Sequence, residues 1–110
     1  MSKFVITKRV NGEFQFNLTA GNGEIILTSE GYSAKPGCLN GIESVKTNSQ
    51  DATKFEGKTS ANGRWFFNLK AANGQIIGTS QMYATAASRD GGIASVKTNA
   101  PAATTEDKSL

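Results

Sequence analysis

The chain has 110 residues, of which 19% are charged and 37% hydrophobic, with a net charge of +3 and no histidine. This balance fits a folded domain, read here as a single unit over 1–110, and excludes a disordered chain. No apolar run approaches the roughly 18 residues of a membrane span, and Met1–Lys8 is too short and polar for a secretory signal, so a cytoplasmic protein without membrane contact is expected.

Phe4 to Lys8 alternates apolar and polar residues and predicts a strand. A three-residue loop with Gly12 in the left-handed region returns it, setting Phe4 and Ile6 opposite Leu18 and Phe16. A two-residue loop would place Thr7 and Arg9 beside the aromatic residues, so the first register is preferred. The second strand, Glu13–Ala20, turns Phe14, Phe16 and Leu18 inward and Gln15, Asn17 and Thr19 outward. Asn22-Gly23 leads into a third strand, Glu24–Ser29, in which one of two adjacent isoleucines must face outward. A two-residue turn there would bring Asn17 near Thr28. Beyond Tyr32 the period becomes helical, with Cys38, Leu39, Ile42 and Val45 on one face. Ser33 is an N-cap candidate, Pro36 fits a first turn and Asn48 would close the helix.

Adding 51 to the residue number repeats the pattern, and about 21 of 45 positions from Phe4 to Asn48 match. The copy has Trp65, Phe67 and Leu69 inward, Phe66, Asn68 and Lys70 outward, an Asn73-Gly74 turn and a third strand Gln75–Ser80. Its helix carries Ala86, Ile93 and Val96, with Thr85 as N-cap candidate and Asn99 at the end. Gly41 and Gly92 fall inside the helices, where each costs up to about 1 kcal/mol against alanine, so both point to close approach of helix and sheet. The repeats are placed at 1–51 and 52–102, with a closing segment at about 103–108 that either pairs as an edge strand or frays.

The pattern from Phe67-Asn68-Leu69 through Asn73-Gly74, Ile76-Ile77, Thr79-Ser80 and Tyr83 to Gly92-Ile93 and Val96-Lys97 resembles the YegP-like family of bacterial tandem-repeat proteins. The resemblance implies an α+β fold: two tandem β(3)-α-β repeats share a single antiparallel-rich sheet, exchange their C-terminal strands, and pack two helices on it. It implies no activity, the family being of unknown function. Pro36 and Gly37 depart from the family pattern at the start of the first helix.

Chemistry is sparse. Without histidine the commonest general base and metal ligand are absent, and Cys38, a lone thiol without a base, reads as a buried filler. No phosphate-loop, dinucleotide or zinc pattern occurs, so no cofactor and no metal are expected. Glu13, Glu24, Glu30 and Glu43 have Arg64, Gln75, Gln81 and Ala94 as counterparts, which excludes a two-carboxylate centre built by repeat symmetry.

The favoured expectation is a small soluble, non-catalytic binding or interaction module acting on an unidentified ligand or protein partner. Its candidate surface is the outer sheet face: Asn17, Arg64, Phe66, Asn68 and Lys70. A second reading is nucleic-acid binding through the basic second repeat, where Lys58, Arg64 and Lys70 would meet phosphates and Phe66 a base. A third is an enzyme using Lys, Tyr or Ser, drawn from Ser29, Tyr32, Ser80, Tyr83 and Lys97, whose bland account is packing, capping and the helix dipole. Two repeats in one chain predict a monomer.

Overall fold

Glycine-closed loops fold the alternating segments back on themselves, and the helical segments bridge between them. In the computed structural model, which describes residues 1–110, β1 (Lys3–Lys8), β2 (Phe14–Thr19) and β3 (Ile25–Ser29) lead into α1 (Lys35–Asn48). Then come β4 (Phe55–Thr59), β5 (Trp65–Lys70), β6 (Ile76–Thr79), α2 (Ala86–Asn99) and β7 (Thr104–Asp107).

All four hairpins use one loop. Gly12 donates its N–H to the Arg9 carbonyl and Arg9 donates to Glu13, the three-residue bulged loop, and the same pair of bonds recurs at Ala20, Ser60 and Ala71. Gly12, Gly23, Gly63 and Gly74 have φ of 81° to 88°, where a side chain would be strained. β1 meets β2 in the expected register, Phe4 opposite Leu18 and Ile6 opposite Phe16. The second hairpin differs from a two-residue turn but reaches the same pairing by another route. A bulge between Leu18 and Thr19 restores Asn17 opposite Thr28. The bulge also settles the isoleucines: Ile25, opposite Thr19, is 45% exposed, while Ile26 and Leu27 are both buried.

The seven strands form one sheet in the order β4-β5-β6-β3-β2-β1-β7. β3 and β6 join the two units at Thr28–Thr79, and every pairing is antiparallel except β1 with β7. The strand after each helix crosses to the other unit: β4 follows α1 and lies beside β5, while β7 follows α2 and lies beside β1. The closing segment therefore pairs, and it pairs parallel.

One cluster of buried side chains, including Phe4, Phe16, Leu18, Leu27, Ile42, Phe67, Leu69 and Val96, fills the space between the helices and one face of the sheet. A Cβ on Gly41 would lie 2.8 Å from Cζ of Tyr32 and 3.0 Å from Phe16, and one on Gly92 would lie 2.7 Å from Cζ of Tyr83. The helix glycines thus admit the two tyrosine rings. Thr85 caps α2 by accepting the Ser88 N–H at 3.0 Å, as expected. Ser33 does not cap α1; Ala34 holds that position without a side-chain bond, and Pro36 covers the first turn. Asn48 and Asn99 end the helices by donating back to the carbonyls of Ser44 and Ser95 at 2.8 Å, not by a left-handed turn.

Candidate functional site

The face of the sheet opposite the helices carries a polar row. Pairing sets Asn17 beside Thr28, Thr28 beside Thr79 and Thr79 beside Asn68, so four side chains cross the four central strands in a line. Val5 and Glu106 extend the row on one side and Glu56 on the other. The repeat makes the line near-symmetric about the Thr28–Thr79 pair, but its hydrogen bonding is unequal. Thr79 Oγ1 donates to Asn68 Oδ1 at 2.9 Å, and Asn68 is only 7% exposed. Asn17 Oδ1 is shut away from solvent and has no partner. An unpaired buried amide oxygen costs about 1–3 kcal/mol. On the same face a shallow hollow of about 690 Å³ is lined by Ile25, Thr28, Glu30, Thr79 and Gln81; Asn17 is not one of its walls, and reaches it only through its neighbour Thr28.

The flank of this face beside β5 is less basic than its composition suggests. Glu56 on β4 draws in both Lys58 at 3.3 Å and Lys70 at 3.2 Å. Hydrogen bonds from Lys70 and Lys58 hold its carboxyl below the usual range. Phe66, opposite Lys58, is half-buried, and Arg64 in the adjoining loop is exposed and makes no ion pair. Of the five residues expected to form a surface, the structure aligns Asn17 and Asn68, sets Phe66 and Lys70 on the same strand as Asn68, and leaves Arg64 at the strand entrance.

Ser29, Tyr32, Ser80, Tyr83 and Lys97 do not gather into a site. Ser29 Oγ accepts the Phe16 N–H at 2.9 Å and donates to the Glu30 carbonyl; Ser80 does the same for Phe67 and Gln81. Both hydroxyls replace a missing ladder bond. Tyr32 stacks on Phe16 at 6.4 Å, and burial, with Cys38 and Glu30 nearby, raises its hydroxyl above the ordinary tyrosine value. Tyr83 packs on Gly92, and Lys97 sits in the last turn of α2, where its carbonyl accepts from Gln50. No hydrogen bond links Tyr83, Ser80 and Lys97. Cys38 is fully buried; burial foremost and then Asp107 push its thiol pKa up, against Lys35. The acidic groups and Cys38 form no cluster able to hold a metal ion.

Two features of this region were not visible in the sequence. The hollow draws Ile25 from a bulge, which periodicity does not reveal, and Gln81 from the segment after β6. Arg89 lies over the Trp65 ring at 5.3 Å, filling the space left by Gly57. In the first repeat Ile6 and Cys38 hold the corresponding places, and only that double exchange could have signalled the contact.

A family described as a domain of unknown function, DUF1508, matches residues 10–56 and again 60–107. The chain belongs to this family. It is similar to the UPF0339 protein YegP of Escherichia coli K12, 55% identical over 104 residues that cover 94% of each chain. A protein encoded in the ptx operon 5' region of Stutzerimonas stutzeri is 59% identical over 90 residues, 82% of this chain and 81% of that one. Two solution NMR structures share the fold at a TM-score of 0.93. A UPF0339 protein of Shewanella oneidensis does so with 50% identity, covering 99% of this chain and 92% of its own. YegP of Escherichia coli, itself described as of unknown function, does so with 53% identity over 98% and 93%. The YegP resemblance read from the repeated motifs is thereby established, and the family carries no assigned activity. No helix is long and apolar enough to cross a membrane.

Proposed function

We propose that this protein is a non-catalytic interaction module of the cytoplasm, a monomer that receives a ligand or protein partner on the helix-free face of its sheet. The observation that carries this reading is the unequal pair of asparagines. Asn68 is closed by Thr79, whereas Asn17 Oδ1 stands unpaired and covered, next to Thr28, which forms one wall of an open hollow. With the Asn17 side chain turned toward the hollow, a hydrogen-bond donor from a bound molecule would complete the row. Two spent serine hydroxyls and two packed tyrosines argue for scaffolding over catalysis. Pairing of Lys58 and Lys70 with Glu56 weakens the case for a phosphate-binding surface.

Capture from a bacterial extract on the immobilised chain, run beside a folded Asn17→Ala/Phe66→Ala variant, tests the reading. A species held by the first and lost by the second is expected; equal retention on both would overturn it. Random single-stranded oligonucleotides should show no salt-dependent affinity at low ionic strength, and an affinity falling steeply with salt would favour nucleic acid instead.

A further inference from the structure

The two ends of the sheet are not alike. At one end β7 lies parallel along β1; at the other, β4, the counterpart of β1 at the 51-residue offset, is the last strand. On β1 the Ile6 carbonyl accepts the Lys108 N–H at 2.8 Å and the Ser2 carbonyl accepts that of Thr104, so alternate residues turn their backbone groups toward β7. Gly57 faces Phe67 as Ile6 faces Phe16. Its N–H and C=O therefore turn to the open side, together with the Phe55 carbonyl. The Phe55 N–H is already given to Ala52. An edge with free donors and acceptors is a template for an added strand.

A second observation indicates what that strand carries. On β7 the inward side chain beside Ile6 is Asp107, which takes Lys35 of α1 at 2.6 Å. At the open end the cation is Arg89 of α2. Its Nε and Nη2 donate to Asp90 at 3.2 and 3.1 Å, while Nη1 has no partner and would lie 2.7 Å from a Cβ on Gly57. The guanidinium is held on Trp65, its side chain is 18% exposed, and the bare Gly57 leaves it room at the strand edge.

We propose that the β4 edge binds an extended segment of a partner protein, parallel to β4, with a carboxylate where Asp107 stands on β7. Gly57 and Phe55 supply the backbone bonds and Arg89 Nη1 receives the carboxylate. The preceding, outward residue of the segment is uncharged or basic, because it lies next to Glu56. A second copy of this chain is the poorer occupant. Antiparallel pairing about Gly57 would bring two Arg89 guanidinium groups together, and the whole basic excess of the chain lies in its second half.

The probe is the peptide Ac-Ala-Thr-Thr-Thr-Asp-Lys-Ser-NH2, titrated into the ¹⁵N-labelled intact chain. The amides of Phe55, Gly57 and Thr59 should shift, and that of Gly57 should exchange more slowly. The same peptide with asparagine for aspartate should bind about five- to tenfold more weakly, a ratio that needs no protein variant. Arg89→Gln, checked for folding by its amide spectrum, should remove the same margin. No shift at Gly57, shifts confined to β1 and β7, or equal affinity for the two peptides would overturn the proposal. So would a concentration-dependent dimer that protects Gly57 without peptide, which would assign the edge to a second copy.

Discussion

Gly41 and Gly92 show how one atom sets the distance between layers. A methyl group at Gly41 would meet the Tyr32 ring at 2.8 Å and Phe16 at 3.0 Å. The ring cannot withdraw freely because it is stacked on Phe16, which is fully buried. Gly41→Ala gains up to about 1 kcal/mol of helix propensity, yet overpacking a core costs about 1–3 kcal/mol, and the overpacking should win. Urea unfolding is expected to show a lower midpoint for Gly41→Ala, with the loss shrinking in a Tyr32→Ala background; a raised midpoint would refute the close approach. These glycines were legible as a packing signal because they interrupt a helical pattern at the same place twice. The unequal asparagines were not, since identical residues at equivalent positions give no hint that Thr79 closes one amide and Thr28 leaves the other open.

Among the elements, β7 is the least apolar strand and depends most on charge. Lys35 reaches it from α1 at 2.6 Å, and Lys3 meets Glu106 at 3.5 Å. Hydrogen bonds from Lys35 and Ser109 bring the Asp107 carboxyl from 3.8 down to about 2. Because the folded value lies below the unfolded one, this contribution is complete above about pH 4 and is lost as pH falls from 4 toward 2. Amide exchange along β7 and at Ile6 should accelerate over that window in the parent chain. Asp107→Asn should show fast exchange already at neutral pH, and an unchanged profile in both would contradict the clamp. The β1–β2 register could be read in advance because one slip would have turned Phe4 and Ile6 to solvent. The parallel course of β7 could not: Thr104–Asp107 has no apolar alternation to specify a face, and its partner lies about 100 residues away. The bulges beside Thr19 and Lys70 were equally hidden, being fixed by the fit of Ile26 and Ile77 into the core.

At the scale of the whole molecule, the two units are halves of one object. They join through the β3–β6 pairing at Thr28–Thr79, Leu27 of the first fills the space above Gly78 of the second, and each gives up a strand to the other's end of the sheet. Half a core of this size is too small to stand alone. The repeat made this architecture legible, since two equal units with apolar faces need each other. It did not disclose that β4 takes beside β5 the place β1 holds beside β2, while β7 adds outside β1, which leaves β4 as an open end. The most direct test of the account is urea unfolding followed at once by two probes, Trp65 fluorescence in the second unit and accessibility of the buried Cys38 thiol in the first. One shared core predicts coincident transitions with a single midpoint. A Trp65 transition complete while Cys38 is still protected, or the reverse, would mean two lobes folding separately and would contradict it.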